Sequence, residues 1–157
     1  MSRSPDHHLL QQCWVNLTTT ERPQALAREQ IRQALTARTT PERLDDALTV
    51  VSELVANAVQ HASTGPVCMS LDVYRDSAVI WVHDGDRDAA AVRVRNNAPA
   101  RELAESGRGL CLVDLLASRW FVWPTATGKA VAAVIELNAA EGSAARPTRN
   151  ACRHGAV

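Results

Sequence analysis

The chain has 157 residues, 46% of them hydrophobic, which is enough for one domain with its own core. Its 17 basic and 17 acidic side chains cancel, so no bulk field favours nucleic acid or an anionic membrane, and any phosphate site must be local. The apolar runs are too short to span a membrane, no secretory leader is recognisable, and the four cysteines form no Cys-x-x-Cys pair. We therefore expect a cytoplasmic protein with reduced thiols that binds neither membranes nor nucleic acid directly.

The first half of the chain predicts one strand and two helices. Residues 1–12 are polar and predict a flexible N-terminus, and 13–17 form a short strand. Proline in the first turn and a helical apolar repeat predict a helix over 23–37. Thr40 is a suitable N-cap for a second helix over 41–62, which should bury a wide apolar stripe.

The second half changes to a strand period. Residues 67–74 alternate between apolar and polar, as a half-buried strand requires. Residues 78–83 are almost continuously apolar, which predicts a central strand that ends at Asp84. The stretch 85–106 has no strong period and is long for a compact domain, so we expect an irregular connection that acts as a lid.

The remaining elements are a helix and two strands. The pattern predicts a helix over 110–117 and strands over 120–123 and 130–137. The segment 139–157 offers little to bury, and we expect a disordered tail. The domain itself is expected to occupy 13–138.

Glu53 and Asn57 are the most informative residues. They lie one helical turn apart on the second helix, so a carboxylate and a carboxamide project from the same face, opposite the apolar stripe. Such a pair can hold a divalent cation and orient a water or a hydroxyl group. From these two residues alone, an ordinary solvated helix face explains the pair equally well.

Asp84 and Gly85 end the predicted central strand where the irregular stretch begins. A carboxylate in this position can accept a hydrogen bond from the exocyclic amine of a purine. The alternative is an ordinary turn residue at the end of a strand.

A glycine-containing segment, Ser106-Gly107-Arg108-Gly109-Leu110, precedes the third helix. Its backbone N–H groups could approach a polyphosphate at the positive end of that helix, although a flexible helix entry is the simpler alternative. It is not a dinucleotide-binding motif, because the third glycine is missing. Gly128-Lys129-Ala130 is not a Walker motif, because the upstream glycine and the hydroxyl that binds magnesium are both absent.

Taken in chain order, four features resemble the GHKL ATP-binding superfamily shared by histidine kinases, gyrase and Hsp90. They are the helix of Glu53 and Asn57, Asp84-Gly85, Gly107-Arg108-Gly109-Leu110, and the strand that follows Gly128-Lys129. The segment 52–62 and the Gly128-Lys129 ending are most similar to the anti-sigma factor serine/threonine kinases of actinobacteria. The likeness covers about Trp14 to Leu137.

The resemblance implies an α+β fold of the Bergerat type. This is a two-layer α/β sandwich in which a mixed, mostly antiparallel sheet has helices on one face, with Mg-ATP between the Glu53 helix and the lid. By match to the family, Asn57 is the Mg²⁺ ligand and Glu53 the general base. The remaining cofactor-binding residues would be Asp84 and Gly85 at the adenine, and Gly107, Arg108, Gly109 and Leu110 at the phosphates.

The resemblance also implies a protein kinase that phosphorylates a small anti-anti-sigma partner of the STAS type and sequesters a sigma factor. Members of this group commonly form homodimers. The chain departs from the family, because Asp86 and Asp88 stand where the second motif often has glycines, and Ala130 stands where many relatives have threonine. These departures favour the alternative, a non-catalytic ATP-binding regulatory module that binds a partner protein, and they predict a weaker affinity for ATP.

Overall fold

The computed structural model describes residues 8–62, 64–86 and 108–138. The elements are β1 (Gln11–Asn16), α1 (Pro23–Leu35), α2 (Pro41–His61), β2 (Pro66–Val73), β3 (Ser77–Asp84), α3 (Arg108–Leu116), β4 (Arg119–Pro124) and β5 (Lys129–Glu136). Most of the predicted lid and the predicted tail lie outside the described residues, as does Gly107.

The five strands form one sheet in the order β1-β2-β3-β5-β4. All four pairings are antiparallel, so the described sheet is antiparallel throughout where a mixed sheet was expected. The α+β class is confirmed, and β3 lies at the centre, as its apolar composition predicted. The β3–β5 register runs from Ser77 opposite Glu136 to Asp84 opposite Lys129, which sets two charged residues side by side at one end of the sheet.

The helices form the second layer, and α2 is its central member. This helix packs against α1, α3, β3 and β5. Its N-cap is Thr40, whose hydroxyl accepts a hydrogen bond from the Arg43 N–H at 3.3 Å. The buried residues of α2 are Ala47, Leu48, Val50, Val51, Leu54, Val55 and Ala58, which nearly reproduce the predicted stripe.

Two elements begin two residues earlier than predicted. Strand β1 begins at Gln11 rather than at residue 13, because Gln11 and Gln12 pair with Val73 and Asp72 of β2. Polar side chains are compatible with this edge strand, since every second residue faces solvent. Helix α3 begins at Arg108 rather than at residue 110.

The face of the sheet that points away from the helices carries several aromatic rings. Trp14 on β1 and Trp123 on β4 are each 60% exposed. Trp14 stacks on His83 with ring centroids 5.5 Å apart, and Trp81 meets Phe121 edge to face at 5.6 Å. The tryptophans of the edge strands are therefore only partly covered by their neighbours.

Candidate functional site

Glu53 and Asn57 lie on the middle of α2, and both side chains are partly buried. They are less exposed than Gln60, which follows Glu53 by seven residues on the same helix face, so this face is less accessible in the middle of α2 than near its end. Within the described part of the chain, Glu53 makes no hydrogen bond or ion pair. The role of Glu53 as a general base stays a prediction.

Helix α1 holds the turn of α2 that carries Glu53. The Ser52 hydroxyl accepts a hydrogen bond from Arg28 Nη1 at 2.8 Å and donates one to the Leu48 carbonyl at 2.7 Å. Gln24 Nε2 donates to the Ser52 carbonyl at 3.1 Å. These contacts cross-link the two helices and restrict the position of the Glu53 backbone.

Gln24 and Arg28, which form the hydrogen bonds to Ser52, also line a groove of about 510 Å³. The groove therefore borders the turn of α2 that carries Glu53. Its lining residues are Glu21, Arg22, Pro23, Gln24, Ala25, Arg28, Arg32 and Val59. None of them belongs to the site predicted from the sequence. The groove is a neighbour of that site and not the site itself.

Asp84 lies at the end of β3 and is only 5% exposed. Its Oδ1 atom accepts hydrogen bonds from the Asp86 backbone N–H at 2.9 Å and from Lys129 Nζ at 3.0 Å. The first bond is typical of an aspartate in a turn at the end of a strand, which was the alternative interpretation of Asp84. The second was not foreseen, and it makes Asp84 one half of a buried ion pair.

Lys129, the other half, is 4% exposed, and its Nζ atom also lies 3.9 Å from Asp86 Oδ2. It is the only lysine among the 17 basic residues of the chain, and it opens a strand whose next six residues are all apolar. A solitary lysine at the start of a buried strand was a signal that sequence reasoning could have used. Its contact with Asp84 depends on the pairing of β3 with β5, which the sequence does not specify.

Two glycines allow the ends of β3 and β5 to approach closely. A Cβ atom on Gly128 would lie 2.0 Å from the Asp84 carbonyl oxygen and 2.7 Å from the Gly85 Cα. A Cβ atom on Gly85 would lie 2.7 Å from Thr64 Oγ1, the atom that accepts the Gly85 N–H at 3.1 Å. A side chain is therefore excluded at Gly128, where it would meet backbone atoms, whereas at Gly85 it would displace only the exposed Thr64 side chain.

Helix α3 carries the third predicted motif and packs against α2. Arg108 and Gly109 form its first turn, whereas the sequence predicted that they precede the helix. Leu110 lies in the helix, as predicted, and is buried. The first backbone N–H groups of a helix have no acceptor within the helix and attract anions. Gly109 is tolerated there because the first turn depends little on internal hydrogen bonds.

The profile of the histidine kinase-like ATPase domain matches residues 17–135. The chain belongs to the histidine kinase-like ATPase family. The matched range contains all four predicted motifs, and membership implies that this domain binds ATP, as the GHKL resemblance predicted. No curated protein matches the chain significantly.

The residues of the ATPase domain suit a nucleotide better than a metal held by protein alone. No group of three or more His, Cys, Asp or Glu residues within the described ranges could hold a metal ion. Mg²⁺ is usually bound by one or two protein oxygens together with substrate phosphates and water. The carboxamide oxygen of Asn57 is a donor of the kind that this second arrangement uses.

His83 precedes Asp84 in β3 and faces the aromatic side of the sheet, where its Nε2 lies 3.4 Å from Ser70 Oγ. Burial lowers the pKa of His83, and the nearby Asp84 carboxylate opposes that shift.

None of the helices in the described part of the ATPase domain combines the length and apolarity that a bilayer crossing requires.

Proposed function

We propose that this ATPase domain is a serine/threonine protein kinase of the anti-sigma type. It would phosphorylate a small STAS-type anti-anti-sigma protein and sequester a sigma factor, and so regulate transcription in the cytoplasm without binding nucleic acid. The observation that carries the proposal is the partly buried Glu53 and Asn57 pair on α2, the helix that packs against β3, β5 and α3.

The proposed chemistry assigns one role to each side chain of this pair. Bound Mg-ATP supplies a transferable phosphoryl group whose charge is neutralised by the cation. Asn57 would offer its carboxamide oxygen as a ligand to Mg²⁺. Glu53 would accept the proton of the attacking seryl hydroxyl, a role that suits a carboxylate with no partner among the described residues.

Two further elements would position the nucleotide. Asp84, with the adjacent Gly85, would accept a hydrogen bond from the adenine amine. Its Oδ2 atom has no hydrogen bond within the described ranges, whereas Oδ1 has two. The N-terminus of α3 would bind phosphate through backbone N–H groups, with Gly107, Arg108 and Gly109 around the anion and Leu110 anchoring the helix in the core.

The kinase activity is tested by incubating the protein with Mg²⁺, γ-labelled ATP and a STAS-type protein that carries a phosphorylatable serine. We expect Glu53→Gln to lower the transfer rate by about 10² or more, because removal of a general base typically has effects of this size. ATP affinity should change little. Glu42→Gln, an exposed carboxylate on the first turn of the same helix, is the matched control and should retain the wild-type rate. Equal transfer by the Glu53→Gln variant would exclude Glu53 from the mechanism.

A second candidate is an ATP-binding regulatory module without catalysis, in which the nucleotide orders the domain for a partner protein. It is favoured by the ion pair between Asp84 and Lys129, together with the aspartates at positions 86 and 88. Calorimetric detection of ATP binding without transfer to any partner would select this alternative. Absence of binding at millimolar ATP would eliminate both candidates.

The assembly state belongs to the same proposal. A homodimer is expected for a kinase of this group, and sedimentation equilibrium of the full chain with and without ATP measures it directly. A monomer under both conditions would remove the dimer from the proposal and leave the catalytic assignment intact.

A further inference from the structure

We propose that Lys129 recognises the nucleotide base directly, by donating a hydrogen bond to the ring nitrogen N1 of adenine while Asp84 accepts one from the exocyclic amine. The inference rests on the proposed role of Asp84 at the base. It adds a residue that determines which base the site accepts.

The first observation is the incomplete hydrogen bonding of a buried ammonium group. A lysine has three N–H donors, and Lys129 is 4% exposed. Among the described residues, only Asp84 Oδ1 accepts one of these donors, at 3.0 Å. Asp86 Oδ2, at 3.9 Å, is too distant for a hydrogen bond. Since buried donors are normally satisfied, the ammonium group has capacity for a ligand.

The second observation is the complementary state of the Asp84 carboxylate. Its Oδ1 atom accepts both the Asp86 N–H and the Lys129 ammonium. Its Oδ2 atom accepts no hydrogen bond from the described part of the chain, although the side chain is almost completely buried. A site that served only as a structural ion pair would leave both groups partly unsatisfied.

Together the two groups present an acceptor beside a donor. The edge of adenine presents the reverse, because its amine N–H donates and the adjacent N1 accepts. The match therefore gives two direct hydrogen bonds, one of them to a charged donor. Guanine would have to bind in the opposite orientation, since its carbonyl oxygen replaces the amine and its N1 carries a hydrogen.

The position of Lys129 supports a role in recognition. It opens β5 on the face that Val131, Ala133 and Ile135 bury against the helices, and no other lysine exists in the chain. The junction with β3 leaves no room for a side chain at position 128, so the backbones of the two strands lie in close contact beside Lys129. Its ion pair with Asp84 holds the ammonium group next to the carboxylate before a ligand binds.

The test compares ATP with 1-deaza-ATP, in which N1 is replaced by a CH group, using calorimetry on the full chain. We expect wild-type protein to bind ATP about 10- to 100-fold more tightly, as for loss of a hydrogen bond to a charged group. Lys129→Met should reduce this ratio to about twofold or less. Arg75→Met, which removes an exposed positive charge from the turn between β2 and β3, should leave the ratio unchanged.

A second measurement uses the wild-type protein alone and does not depend on the folding of a variant. Selective ¹³Cε labelling of lysine gives one side-chain NMR signal, because Lys129 is the only lysine. ATP should shift this signal strongly, and 1-deaza-ATP should shift it much less.

The outcomes separate this inference from the proposed function. Equal affinities of wild-type protein for ATP and 1-deaza-ATP, or a lysine signal insensitive to ATP, would overturn the role of Lys129 while ATP binding stands. Tighter binding of GTP than of ATP would overturn the assignment to adenine N1. Absence of binding to any of these nucleotides would overturn both the inference and the proposed function.

Discussion

The ion pair between Asp84 and Lys129 should make a large contribution to the free energy of unfolding, and a double-mutant cycle can measure it. Asp84→Asn removes the negative charge and keeps a carbonyl oxygen for the Asp86 N–H. Lys129→Met removes the positive charge and keeps a side chain of similar length. Lys129→Met leaves the Asp84 carboxylate buried without its counter-ion, and Asp84→Asn leaves the Lys129 ammonium with the more distant Asp86 carboxylate, 3.9 Å away. Both side chains of the pair are buried, with 4% and 6% of their surface exposed, so the loss of either charge is costly.

The magnitude follows from the geometry. Two unit charges 3.0 Å apart attract by roughly 5 kcal/mol at an effective dielectric constant of about 20. Desolvation offsets much of this attraction in the wild-type protein, but it penalises each single variant fully. We therefore expect each single variant to lose about 3 kcal/mol of unfolding free energy, and the double variant to lie within about 1 kcal/mol of wild type. The coupling energy, which is the sum of the two single effects minus the effect of the double variant, would then be at least about 5 kcal/mol.

Urea denaturation without nucleotide, followed by the fluorescence of the four tryptophans, measures all four proteins of the cycle. The matched control is the exposed pair of Glu29 and Arg32, with side chains 54% and 46% exposed and an N–O distance of 3.8 Å. Its cycle should give a coupling energy of no more than about 0.5 kcal/mol. Single variants at Asp84 and Lys129 that each cost less than about 1 kcal/mol, with effects that simply add, would refute the reasoning.

Three further predictions concern the backbone and one titrating group. Gly128→Ala should lower the free energy of unfolding by more than about 2 kcal/mol in urea denaturation, because its Cβ would overlap the Asp84 carbonyl oxygen. Gly65→Ala is the control, since Gly65 has a positive φ but open space around it, and it should cost only about 1 kcal/mol. If the two variants are equally stable, the close approach is not rigid. Thr40→Ala should lower stability by about 1 kcal/mol through loss of the N-cap of α2, and an unchanged urea midpoint would argue against that cap. Burial lowers the pKa of His83 in the folded state, so the unfolded chain binds a proton at this imidazole before the folded protein does as the pH falls. The contribution of His83 to the free energy of unfolding is therefore present above pH 6.5 and lost as the pH falls below it. The difference in urea midpoint between pH 8 and pH 5.5 should therefore be smaller in His83→Gln than in wild type, and an equal difference would exclude His83 as its source.

Most of the secondary structure followed from local patterns. The α2 helix was predictable because its cap, its first-turn proline and its apolar stripe all agree over a long segment. The boundaries of β1 and α3 were less accurate. Gln11 and Gln12 enter the sheet through pairing with β2, and the first turn of α3 contains a glycine that local propensity disfavours.

The candidate site was only partly predictable. Asp84 stood out as a carboxylate at the end of an apolar strand, and Glu53 with Asn57 stood out through helical spacing. Lys129 was recognised only as part of a glycine-lysine ending. Its contact with Asp84 joins strands that are far apart in the sequence, and nothing in local periodicity identifies such a partner.

The amino-acid sequence alone determined the order of the helices and strands, the central place of β3 and the resemblance to GHKL ATPases, because these depend on residue periodicity and short motifs. The tertiary structure alone decided that β5 pairs with β3 in the register that sets Lys129 against Asp84. That register is selected by burying the apolar faces of both strands under the helices, since a slip of one residue would turn those faces to solvent.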